Sequence, residues 1–160
     1  METKLTQEEL DERIAILRRF RSVLEQQRES FQQYLNVLEK QENQINLKNA
    51  DEIMEHSELE AKIVSNINSL QKVIVPLQQM YQNSTKSYTE EQLISVETIQ
   101  NDLNKLQQDV LVQNQKNRDL LKTQMNQLRT QIAQFQNPYK NIKSVYAQKQ
   151  NSGTRIAIDV

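Results

Sequence analysis

Cysteine is absent from this chain, so a disulfide framework, a thiol nucleophile and a cysteine-based zinc site are all excluded. Glycine occurs once, which rules out the glycine-rich loops that cradle nucleotide phosphates. One Gly, two Pro and 5% aromatic residues in 160 positions are far from the composition of an average compact globule and suit long helices. No apolar run approaches the roughly 18 residues that span a bilayer. The opening METKLTQEELDER lacks the basic-then-apolar layout of a signal peptide, and the chain is expected to be cytosolic. Neither sign of charge dominates: 20 Lys and Arg are interleaved with 21 Asp and Glu, so neutralising nucleic-acid phosphates is not its main task.

What remains is helix-forming, polar and rich in Gln and Asn, with 36% apolar residues. Each helix should therefore carry a narrow apolar stripe. The stretch LTQEEL predicts the first helix start. Thr6 and Glu9 form a capping box, and Leu5 and Leu10 take the two positions of a hydrophobic staple. Leu10, Leu17, Leu24, Phe31, Leu38 and Ile45 then recur every seven residues, with Ile14, Arg21, Arg28 and Leu35 as the expected companion seam. The segment INLKNADE predicts a tight turn near 46–49, with Asn49 capping a second helix from Ala50. Ile63, Ile67, Leu70, Ile74, Leu77 and Tyr81 give that helix a clean stripe. Pro76 lies inside it and should kink the helix or end it. After NSTKSY, Thr89 with Gln92 repeats the capping box and Tyr88 with Leu93 the staple. The third helix carries Val96, Leu103, Leu106 and Val110, then Leu121, Met125, Leu128, Ile132 and Phe135. QNQKNRDL makes a polar belt between the blocks, and Asn137-Pro138 is expected to close the helix. The pattern predicts an all-α fold, an elongated antiparallel bundle of three long helices over about 6–46, 50–82 and 89–136. A mobile interaction tail over 137–160 is expected to follow.

No catalytic spacing is evident. His56, the one histidine, sits among Glu52, Glu55, Glu58 and Glu60, a poor zinc ligand set. Glu8 with Glu9, and Glu90 with Glu91, suit first helical turns, where they complement the macrodipole. Arg18, Arg19, Arg21 and Arg28 lie beside Glu25 and Glu29 and describe a salt-bridged surface. The expectation is a protein that is not an enzyme and holds no cofactor or metal.

The tail NPYKNIKSVYAQKQNSGTRIAIDV is the exception. Termini commonly fray, yet disordered segments are poor in aromatic and β-branched residues. Tyr139, Ile142, Val145 and Tyr146 would share one helical face, and Ile156, Ile158 and Val160 one strand face. These seven residues are the candidate partner-binding set.

The segments VLEKQENQINLKNADEIMEHSELEAKIVSNI, NQKNRDLLKTQMNQLR and the proline-marked tail from NPY to SVYA resemble the FlgN family of flagellar export chaperones. The resemblance covers most of the chain as a pattern. It implies a cytosolic bacterial chaperone that binds the C-terminal helices of hook-filament junction (hook-associated) proteins. It also implies docking at the type III export gate, with the tail making much of the contact. A coiled-coil homo-oligomer sealed by the first heptad, and an adaptor or tethering subunit of a larger helical complex, are the readings from other classes.

Overall fold

The computed structural model describes residues 4–140, with side chains through Phe135. Three long helices make up nearly all of it: α1 (Gln7–Leu47), α2 (Ala50–Asn83) and α3 (Glu90–Lys140), with a short 3-10 turn at Thr85–Ser87. No strand occurs among the described residues. The expected all-α class with three long helices is the one observed.

The helix starts follow the local chemistry. The Glu9 amide donates to Thr6 Oγ1 at 3.2 Å while Thr6 N–H donates to the Glu9 carboxylate at 2.8 Å, which completes the capping box. Asn49 Oδ1 accepts from the Glu52 amide. Thr89 and Gln92 repeat the reciprocal pair at 3.2 and 2.9 Å. Tyr88 and Leu93, the staple residues of α3, both join the core. Between α1 and α2 the chain turns at Lys48, whose φ of 56° is left-handed; its N–H reaches the Gln44 and Ile45 carbonyls. This αL cap ends a helix that has no glycine to do so.

The chain divides into two units between Leu120 and Leu121. In the first, α1 and α2 run antiparallel, and the hydrogen bonds Gln27 to Ile67 and Tyr34 to Glu60 show the reversed register. The first part of α3 runs parallel to α1. Tyr88 Oη donates to the Arg13 carbonyl, Arg28 pairs with Asp102 at 3.0 Å and Lys116 pairs with Glu42 at 2.7 Å, a nearly constant offset along both helices.

Two apolar clusters fill this unit. One gathers Leu17, Phe20 and Leu24 of α1, Ile74, Leu77 and Tyr81 of α2, and Val96, Ile99 and Leu103 of α3. Phe20 and Tyr81 lie 4.9 Å apart between ring centroids, and Tyr81 stacks on Tyr88 at 5.3 Å. The other gathers Tyr34, Val37, Leu38, Ile63, Ile67 and Val110. Polar groups lie between them beside half-buried Phe31, which packs against both clusters: buried Gln27 donates to the Ile67 carbonyl at 3.1 Å, and Asn66 donates to Ser30 Oγ at 3.1 Å.

Several expectations require correction. The heptad Leu17, Leu24, Leu38 and Ile45 is buried as expected, but the companion seam is not the one containing Arg21 and Arg28. Ile14 is 39% exposed, and the positions that fill the interior are Phe20, Val23, Gln27, Ser30, Tyr34, Val37 and Gln41. Two neighbours pack on α1, and a helix between two partners buries a wider stripe than a two-helix seam. Arg21 instead pairs with Glu25 on the same helix, and Arg28 reaches across to α3. Neither proline ends its helix. Pro76 lies within α2, and α3 continues past Asn137-Pro138 to Lys140. A proline removes one donor and crowds one carbonyl, and each helix continues past that local loss.

Candidate partner-binding surface

The first unit closes on a polar network at its upper end in chain order. Asn117 is 2% exposed, and its Nδ2 donates to the Leu38 carbonyl at 2.8 Å and to Gln41 Oε1 at 3.2 Å. Gln113 Nε2 donates to Asn117 Oδ1 at 2.9 Å and to the Glu42 carboxylate at 2.6 Å. Lys116 and Gln113 together hold the Glu42 carboxyl below its ordinary range. The Tyr34 hydroxyl is pushed up to about 12, by burial first and by its hydrogen bond to Glu60 second. These groups lock register and offer no poised acid or base. Asn117→Ala should cost about 1–3 kcal/mol because it strands the buried Gln41 oxygen. Urea denaturation of the full chain is the direct check.

Beyond Asn117 the character of α3 changes. Leu121 is half-buried, but Met125, Leu128, Ile132 and Phe135 are 41%, 58%, 51% and 83% exposed. The sequence placed these five in the bundle stripe, and the structure leaves the last four as the open face of the second unit. At the offset of 74 that pairs Arg28 with Asp102, the end of α1 at Leu47 falls level with residue 121, so α1 has no residues left to cover the later positions, and the apolar stripe also changes phase. Buried Val96, Leu103, Val110 and Asn117 recur every seven residues, but Leu121 and Met125 follow in two successive steps of four. Such an extra step carries the apolar stripe round the helix relative to its earlier line. The signal was present in the belt QNQKNRDL, which the spacing marks as a break in period.

Of the seven residues expected to bind a partner, Tyr139 falls in the last described turn of α3, with its side chain outside the described part. Ile142, Val145, Tyr146, Ile156, Ile158 and Val160 lie outside the described residues. By position, Tyr139 extends the run Leu121, Met125, Leu128, Ile132, Phe135 by the next step of four.

A second feature belongs to the first unit alone. A groove of about 630 Å³ lies between α1 and α3, lined by the charged residues Glu25, Arg28, Glu29, Asp102, Lys105 and Asp109, with Gln32 and the apolar Leu35 and Leu106. Arg28 and Asp102 pair across it. Among the described residues no group of three or more His, Asp or Glu side chains is arranged to hold a metal ion. His56 is half-buried, and no described helix is long and apolar enough to cross a membrane.

The three long helices define an all-α protein. Over 157 residues, 98% of this chain and 97% of the relative, the sequence is 32% identical to an uncharacterized protein of Treponema pallidum (strain Nichols). The chain belongs to the same family as that protein. No family model matches the chain, and no solved structure matches it.

Proposed function

We propose that this protein is a cytosolic flagellar export chaperone. Its clients are the C-terminal helical segments of hook-filament junction proteins. It shields them from premature assembly and delivers them to the type III export gate. The observation that carries the reading is the exposed apolar run of α3, which leads directly into the tail positions Tyr139, Ile142 and Tyr146. An amphipathic helix packs on such a run through anchors spaced three and four residues apart. Client termini that assemble with neighbours later have apolar faces, and in isolation these would pair or aggregate. The resemblance to the FlgN family supports the same conclusion.

Reversibility follows from the energetics. Ordering a segment on binding uses about 2–5 kcal/mol of the gross contact energy, which keeps such a complex dissociable. Calorimetric titration of a junction protein's C-terminal segment tests the reading. The full chain should bind, and a chain stopped at Gln136 should bind about tenfold more weakly. Equal binding by both would move the contact off the tail and onto α3 or the first unit. Binding by neither would overturn the chaperone reading.

A further inference from the structure

The two units carry opposite charge. Residues 1–120 hold 14 Lys and Arg against 20 Asp and Glu; residues 121–160 hold 6 against 1. No acidic residue occurs between Asp119 and Asp159. This asymmetry coincides with the open face of α3, where the charge has a definite place. The alternating steps of four and three make Leu121, Leu128 and Phe135 the d positions of a heptad and Met125 and Ile132 the a positions. Lys122 and Arg129 then occupy e, along one edge of the stripe, and Gln124 and Gln131 occupy g, along the other. Both cationic residues are exposed.

From this placement we infer that the open face of α3 docks an acidic amphipathic helix of a partner protein, whose carboxylates flank its apolar stripe and pair with Lys122 and Arg129. The inference rests on the partner-binding reading above and adds the chemistry of the partner. The e and g positions set partner choice where helices pair side by side. A second copy of this chain is a poor occupant. Antiparallel pairing would oppose e to e, cation against cation; parallel pairing would oppose e to g, cation against glutamine. Neither arrangement forms an ion pair, and both bring together two units with a large excess of positive charge. A partner with Glu or Asp at its flanks gains ion pairs with Lys122 and Arg129, and its negative field speeds encounter. A lipid surface is also disfavoured. The stripe is the narrow two-per-heptad seam of helix pairing, with cations on one edge only, whereas interfacial helices combine a broad apolar face with a strongly charged opposite face.

The test uses the full chain and three synthetic amphipathic peptides that share one apolar face and carry Glu, Gln or Lys at the flanks. Fluorescence anisotropy at low salt should rank them Glu, then Gln, then Lys, with about a tenfold span that narrows as salt is raised. The double substitution Lys122→Glu with Arg129→Glu should invert the order, and Ile132→Asp should abolish binding of all three. Equal affinities, or an order unmoved by the charge swap, would overturn the inference. So would sedimentation showing a dimer that Ile132→Asp dissolves, since a second copy would then cover the face. Binding of anionic vesicles with none of any peptide would assign the face to a membrane and overturn it likewise. The outcome is separable from that of the chaperone reading. A junction segment that binds regardless of the charge swap keeps the chaperone and removes the acidic partner. Charge-ranked peptide binding with no junction segment bound does the reverse.

Discussion

Phe20→Ala is expected to destabilise the first unit by about 3–5 kcal/mol, the range for removing a fully buried aromatic ring. Phe20 is 0% exposed and sits where α1, α2 and α3 converge, with the Tyr81 ring at 4.9 Å and Leu17, Leu77 and Val96 in the same cluster. Truncation removes the ring's transfer free energy and also leaves a cavity. The cavity cannot close easily, because Tyr81 is held by its stack on Tyr88, whose hydroxyl is in turn bonded to the Arg13 carbonyl. Small domains are stable by only about 5–15 kcal/mol, so this loss is a large share of the total. Equilibrium denaturation followed by circular dichroism should show a much lower midpoint. A loss below about 1 kcal/mol would mean that the Phe20 site collapses freely and that this cluster is not the main source of stability.

The second large effect has the opposite sign. Pro76→Ala should stabilise the protein by about 1–3 kcal/mol, since proline in a helix interior is about 3 kcal/mol worse than alanine. Pro76 is exposed and lies inside α2, two residues after buried Ile74 and one before buried Leu77. Its ring therefore contributes little packing. The substitution restores one amide donor to the Lys72 carbonyl and removes the steric crowding there. Part of the gain is offset because proline also restricts the unfolded chain, an effect of about 0.4–1 kcal/mol. The denaturation midpoint should rise with an unchanged slope. A fall in stability would show that the packing of Ile74 and Leu77 on α1 and α3 depends on the backbone path that Pro76 imposes.

The local features of this fold were legible from the chain. Each helix start is decided by groups within four residues of one another, Thr6 with Glu9, Asn49 with Glu52 and Thr89 with Gln92, and each was found as written. The interior of α2 was equally legible, because Ile63, Ile67, Ile74, Leu77 and Tyr81 form one uninterrupted stripe. Arg28 shows the limit. Its nearest carboxylates in sequence are Glu25 and Glu29, but it pairs with Asp102, 74 positions away. Gln27 is a polar residue that a sequence would place at the surface, and it is buried because the Ile67 carbonyl of the neighbouring helix accepts from it.

The candidate site divides the same way. Composition and spacing by themselves determined that the chain is helical, where its helices begin, and that the last 40 residues are basic, with an apolar helical period that runs from Leu121 to Tyr146. These properties depend on neighbours along the chain, and the heptad is visible whether or not anything packs on it. Only the tertiary structure decided that α1 buries Phe20 and Gln27 in place of the Arg21 and Arg28 seam, and that the run from Met125 to Phe135 stays open. An apolar stripe records that a partner is required, but whether that partner is another part of the same chain is set by contacts between residues far apart in sequence.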